Sequence, residues 1–142
     1  MSTLDCPACS GAWPAPEQRI ADLGLAVAYL HDDQFFPGWT LLVLKRHATE
    51  LFQLTREERG RLVEEVSAVA EALAATLGAR KVNYELLGNQ IAHIHWHVIP
   101  RLPDDPAPRE PVWGLRHEPR RLTPDERRQR ITALQARLRP PA

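Results

Sequence analysis

Apolar and polar positions come in blocks along this chain, and the blocks predict its elements. Ala26-Val27-Ala28-Tyr29-Leu30 has strand length and is broken by the polar His31-Asp32-Asp33-Gln34. Pro37-Gly38 signals a turn. Thr40-Leu41-Leu42-Val43-Leu44 then runs apolar without interruption, which predicts a buried strand. At Thr55 the period changes. Thr55-Arg56-Glu57-Glu58 has the capping-box form, and Leu62, Val66, Val69, Leu73 and Leu77 follow at spacings of three and four. With Gly78 placed as a C-terminal cap, this predicts a helix over 55–77 that covers a sheet.

Val82, Tyr84 and Leu86 alternate with Asn83 and Glu85, Gly88-Asn89 offers a turn, and His93 to Ile99 reads as the next strand, closed by Pro100. The two strands are expected to pair as an antiparallel hairpin. Residues 102–121, rich in Pro, Arg and Asp, predict an extended tail packed on the domain. Thr123-Pro124-Asp125-Glu126 starts a second helix, with Ile131, Leu134 and Leu138 as its stripe. Residues 1–16 are expected to be mostly irregular. No repeat or second domain is visible, so residues 1–142 read as one domain.

Composition narrows the class. At 142 residues, with 44% hydrophobic and 25% charged residues, the chain is long and apolar enough for a real core, which excludes general disorder. Eighteen basic and eighteen acidic residues cancel, which argues against a nucleic-acid binder held by bulk charge. No apolar run approaches the roughly 20 residues of a membrane span. Met1 to Pro14 lacks the form of a signal peptide, so the expected address is the cytoplasm. The charge is uneven: residues 1–100 carry 8 basic and 12 acidic groups, and residues 101–142 carry 10 and 6. Such a basic tail either attracts phosphates beside a site or forms a solvated surface.

The most informative segment is His93-Ile94-His95-Trp96-His97-Val98-Ile99. In a strand the three histidines share one face, roughly 6.6 Å from each to the next, while Ile94, Trp96 and Val98 share the other. Three partly buried, hydrogen-bonded histidines are one reading. A metal site is another, weakened because the outer rings are rooted about 13 Å apart. The strand sets the three imidazoles in a row at the sheet surface. Cys6-Pro7-Ala8-Cys9 is likewise open among a disulfide, a redox pair and half of a tetrahedral zinc site.

The histidine run, preceded by Leu87-Gly88-Asn89 and followed by Pro100-Arg101, resembles the histidine triad (HIT) superfamily of nucleotide hydrolases and transferases. Pro37-Gly38, the apolar strand, Lys45-Arg46-His47 and the helix start at Thr55 extend the resemblance over about residues 5–101, leaving the tail 102–142 outside it. It implies an α+β fold: an antiparallel sheet of about five strands, one long helix packed on it and a C-terminal helix. It implies that His95 attacks the α-phosphorus of a nucleotide conjugate and forms a nucleotidyl-histidine, while His97 holds the phosphate oxygens and helps the leaving group depart.

Gly88 and Asn89 would bring backbone amides to the phosphate. Gln90 stands where many members have Ser or Thr. Asp32 is the ribose candidate, with His31 and Asp33 one position away, and Phe36 and Leu30 are candidates to flank a base. A zinc-binding branch of the family carries Cys-x-x-Cys near its N-terminus, which assigns Cys6, Cys9, His47 and His93 as a structural Zn²⁺ set and leaves His95 and His97 for chemistry.

The resemblance implies a purine-nucleotide substrate, no nucleic-acid or membrane partner, and a homodimer. A non-catalytic zinc-stabilised nucleotide binder and a metal-dependent hydrolase using the triad as ligands are the rival classes. His117, near Arg116 and Arg120, reads as a surface histidine. Trp113 is expected to pack on the domain or complete a partner's site, and Arg101 or Arg109 to face the leaving group.

Overall fold

The computed structural model describes residues 3–141. Five strands form one sheet: β1 (Arg19–Asp22), β2 (Ala26–Leu30), β3 (Thr40–Leu44), β4 (Lys81–Glu85) and β5 (His95–Arg101). Their order is β1-β2-β3-β5-β4, and every neighbouring pair is antiparallel. The helices are α1 (Pro7–Ser10), α2 (Arg56–Leu77) and α3 (Pro124–Arg137). This is the α+β arrangement expected. No helix among the described residues is long and apolar enough to cross a membrane.

Local chemistry sets the helix ends. The Thr55 side chain accepts from the Glu58 backbone N–H and the Glu58 carboxylate accepts from that of Thr55, so two otherwise orphaned donors are satisfied. Gly78 closes α2 in the left-handed region at φ 68°. Thr123 and Glu126 repeat the box at the start of α3. The stripe of α2 (Leu62, Val66, Val69 and Leu73) packs on Ala26, Ala28, Leu30, Leu42, Leu44 and Val98, and Ile131 and Leu134 of α3 join that core. Each such side chain, once buried, contributes roughly 1.5–3 kcal/mol. Glu65 is the polar exception on α2. Fully buried, it accepts the backbone N–H groups of Leu25 and Ala26 and pairs with Arg61 at 3.2 Å, which ties the helix to the start of β2.

The opposite face of the sheet carries a smaller core of Phe36, Trp39, Ile99 and Val112. Its clamp is Arg101, 4% exposed at the end of β5. The guanidinium pairs with Asp105 at 2.6 Å and donates to Asn83 Oδ1 and to the carbonyls of Ala107 and Glu110. One side chain thereby folds residues 105–110 back onto the sheet. Gly38 makes the turn into β3 at φ 89°, where a Cβ would lie 2.3 Å from Leu77 Cδ1 and 2.9 Å from Pro100 Cγ. Only glycine suits that backbone and that gap.

Three features differ from the sequence expectation. The short β1 carries too little alternation to announce itself, and its pairing with β2 is irregular between Arg19 and Ala21. The connection from β4 to β5 is a loop over residues 86–94 rather than a tight turn, and β5 begins at His95. Ile94 still accepts through its carbonyl from Leu44 at the end of β3, but its N–H turns away to the Ala48 carbonyl, and the strand ends there. Tyr84 shares its face of β4 with buried Val82 as expected, yet on this edge strand it is 49% exposed.

Candidate functional site

β5 lies between β3 and β4, with Val43 opposite His95 and both Leu41 and Glu85 opposite His97. A buried central strand holds its side chains in fixed positions, and the two rings stand 5.2 Å apart. His95 Nδ1–H donates to the carbonyl of His93 at 2.8 Å, which leaves Nε2 as the unprotonated nitrogen. His97 has the reverse arrangement. The Trp39 indole can only donate, and it reaches His97 Nδ1 at 3.0 Å, so the proton of neutral His97 sits on Nε2. Burial pushes the His95 pKa down, opposed by the His93 carbonyl. Burial, with His95 and His31 alongside, pushes that of His97 down to about 3. Both rings are therefore neutral at ordinary pH.

The rings open into a cavity of about 350 Å³ whose other walls are Trp13, His31, Trp113 and residues 87–91. Gly88, Asn89 and Gln90 all line it. Trp13 meets His95 edge-on at 5.0 Å. Trp113 meets His97 at 5.5 Å and gives its indole N–H to Glu85 at 2.8 Å. The tail thus packs on the site of its own chain.

Asp32 lines an adjoining cavity of about 200 Å³ with His31, Gln34, Arg121 and Arg127. Its carboxylate accepts from Gln18 at 2.7 Å and pairs with Arg121 at 3.4 Å. Asp33 instead holds the tail, through His117 at 2.7 Å and the backbone N–H of Arg120.

Several expectations are corrected. Phe36 belongs to the smaller core and cannot flank a base, and Leu30, 1% exposed, reaches only the Asp32 cavity. His117 is no surface group: it stacks on Phe35 at 4.1 Å and bonds to Asp33 and Leu115. Arg101 is consumed by the clamp described above, and Arg109 lines a different surface cavity beside Lys81 and Glu110. Sequence reasoning missed the roles of Trp39 and Trp13. The signal for Trp39 was available, since an indole N–H buried beside the start of an apolar strand must find an acceptor.

The first histidine of the run takes a different path. His93 Nε2–H donates to the Leu44 carbonyl at 2.6 Å, which turns Nδ1 toward the cysteines. Cys6 Sγ lies 3.4 Å and Cys9 Sγ 3.6 Å from that nitrogen, Cys9 Sγ lies 3.3 Å from His47 Nδ1, and the two Nδ1 atoms are 3.3 Å apart. All four donor atoms fall within 4.8 Å of one another. A tetrahedral ion with bonds of about 2.3 Å to sulfur and about 2.0–2.1 Å to nitrogen requires edges of about 3.3–3.8 Å. The residues fit a metal, and the Leu44 carbonyl is the outer partner that fixes a ligating imidazole. The ligands come from the N-terminal segment, the loop after β3 and the loop before β5. The same segment, just after Cys9, delivers Trp13 to His95.

The chain resembles known proteins throughout. It is 26% identical over 108 residues to adenosine 5'-monophosphoramidase of Schizosaccharomyces pombe, covering 71% of this chain and 75% of that one. The crystal structure of a histidine triad protein from Sinorhizobium meliloti superposes with a TM-score of 0.78 at 34% identity, over 84% of this chain and 88% of its own. A zinc-bound histidine triad family protein from Mycobacterium smegmatis shares the fold at a TM-score of 0.69 and 23% identity, over 95% and 96% of the two chains. Residues 14–104 match the HIT domain, and with the two neutral imidazoles of β5 set beside a third that faces the cysteines, the chain belongs to the histidine triad family.

Proposed function

We propose that this protein is a nucleoside-phosphate hydrolase or nucleotidyl transferase that cleaves at the α-phosphorus of nucleoside phosphoramidates, adenylylated conjugates or dinucleoside polyphosphates. The observation that carries the reading is the pair of opposite ring arrangements. In one cavity His95 offers an unprotonated Nε2 and His97 a protonated one. His95 Nε2 forms a bond to phosphorus, the bond to the leaving group breaks with its electron pair, and the nucleotidyl-histidine is released by water or another acceptor. His97 Nε2–H donates to a non-bridging oxygen throughout, an electrostatic role that needs no reorganisation. The loop Gly88-Asn89-Gln90 supports the phosphate, and Asp32 accepts the ribose hydroxyls of a purine nucleotide in the adjoining cavity. The phosphoramidase activity carried in the name of the fission-yeast relative supports this class.

Cys6, Cys9, His47 and His93 hold one Zn²⁺ in this reading, and its bound chemistry is structural: it fastens residues 6–13 to the sheet. The unpaired thiols accord with a cytoplasmic address. Residues 1–142 act as one domain, and the active species is a homodimer. The test is rapid quench of the protein with an adenosine 5'-phosphate conjugate labelled in the nucleotide. A nucleotidyl adduct on His95, and loss of nearly all turnover with nucleotide binding retained in His95→Ala, are expected. Turnover unchanged in His95→Ala would overturn the mechanism, and binding without product in the wild type would favour a non-catalytic nucleotide binder.

A further inference from the structure

Trp39 is 2% exposed, its indole N–H points at His97 Nδ1, and it has no acceptor atom to offer in return. It is held on all sides. His31 stacks on it at 4.1 Å and 6°, Phe36 packs at 6.4 Å, and Trp113 meets it at 5.2 Å. The groups around the His97 ring are His95, His31, Trp39 and Trp113. Glu85, the cross-strand neighbour of His97, has its Oε1 engaged by the Trp113 indole. No carboxylate bonds to His97 among the described residues. This differs from a histidine backed by an acid, where the second nitrogen can carry a proton while the first gives one away.

From this contact we infer that Trp39 is a positioning residue that fixes the proton of His97 on Nε2, and that the site therefore favours leaving groups that depart without being protonated. The inference rests on the reaction proposed above. When His95 Nε2 bonds to phosphorus, the leaving atom takes the electron pair of the breaking bond. A phenolate or carboxylate departs as a stable anion. An amine needs a proton on nitrogen first. Neutral His97 could supply one only by becoming an imidazolate, because its Nδ1 holds a lone pair that receives the indole N–H. The amine must take its proton from water or already carry it. His97 thus donates a hydrogen bond to the phosphoryl group and is not the general acid.

Two measurements test this. Long-range ¹H–¹⁵N correlation on histidine-labelled native protein should show His97 with Nδ1 unprotonated and Nε2 protonated between about pH 5 and about pH 8. A proton on Nδ1 in that range overturns the inference without any substitution being made. The second is a series of adenosine 5'-monophosphate conjugates with phenols of graded acidity and one primary amine. The rate should fall steeply with the basicity of the leaving group, with the amine slower than the most acidic phenol by at least the roughly hundredfold that general acids commonly supply. Trp39→Gln, whose amide oxygen can accept a proton-bearing Nδ1, should raise the amine-to-phenol ratio by about tenfold, part of that same contribution. Equal rates across the series, or a ratio unmoved in a folded Trp39→Gln protein, would overturn the role of Trp39. Failure to cleave any conjugate would instead overturn the proposed reaction.

Discussion

Trp13 meets His95 edge-on at 5.0 Å, although it belongs to the N-terminal segment and not to the sheet. The contact closes one wall of the cavity, and an edge-on aromatic pair is worth about 0.5–1.5 kcal/mol beyond simple burial. Trp13→Ala should therefore weaken binding of a nucleoside monophosphate by about two- to tenfold. Isothermal titration of the variant and the native protein measures this directly. Equal affinity would mean that the wall does not touch the nucleotide.

The same segment holds Cys6 and Cys9, so the metal and the wall should be linked. Purified protein should carry about one zinc per chain with two sulfur and two nitrogen ligands, as absorption spectroscopy at the metal edge would show. Cys6→Ser should lower the melting temperature and also weaken nucleotide binding, because Trp13 loses its anchor. A lower melting temperature with binding intact would separate the two sites.

Glu65 tests how α2 is fixed to the sheet. Glu65→Ala strands the backbone N–H groups of Leu25 and Ala26 and the guanidinium of Arg61. The expected loss is roughly 2–4 kcal/mol, read as a lower urea midpoint, since it removes a buried charged acceptor from its partners. Glu65→Gln should recover part of it by keeping an acceptor oxygen.

His117 and Asp33 tie the tail to the loop after β2, and their link should be bounded on both sides in pH. Burial alone would lower the His117 pKa, but the Asp33 carboxylate and the Leu115 carbonyl overcome it and raise the value. Its contribution is complete below the ordinary imidazole pKa and is lost as pH rises through the higher folded value. Burial alone would raise the Asp33 pKa, but the Arg120 N–H, His117 and the Phe35 N–H lower it. Its contribution is present above the ordinary carboxylate pKa and is lost as pH falls through the lower folded value. Protection of residues 115–121 against hydrogen exchange, corrected for intrinsic rates, should be greatest between about pH 4 and about pH 6.5. His117→Ala should remove the loss on the alkaline side.

Much of this arrangement was legible in the sequence because it is local or periodic. The caps of α2 and α3 depend on residues three apart, and the stripe of α2 on a fixed spacing. The ligand set was readable by resemblance, and the structure brings Cys6, Cys9, His47 and His93 together. What was not legible depends on distant partners. His117 finds Asp33 across 84 positions, and Trp39 finds His97 across 58. Arg101 is a different case: Asp105, Ala107 and Glu110 follow within 9 positions, but that segment has no periodicity to show that it folds back onto Arg101 beside Asn83, so the residue read as a cation free to face a substrate. The strand start at His95 was missed because alternation of His93, His95 and His97 cannot show that the N–H of Ile94 turns to Ala48, beyond the end of β3.

The four converging ligands also impose an order in time. Synthesis runs from the N-terminus, so Cys6 and Cys9 leave the ribosome long before His93, which is residue 93 of 142. Until β3 and β5 are both made and paired, the nascent chain has two thiols and no complete cage. The segment with Cys6 and Cys9, made early, thus finds its place only after the later strands are paired, and under the proposed metal binding a shortage of the ion would leave that segment loose on a finished sheet.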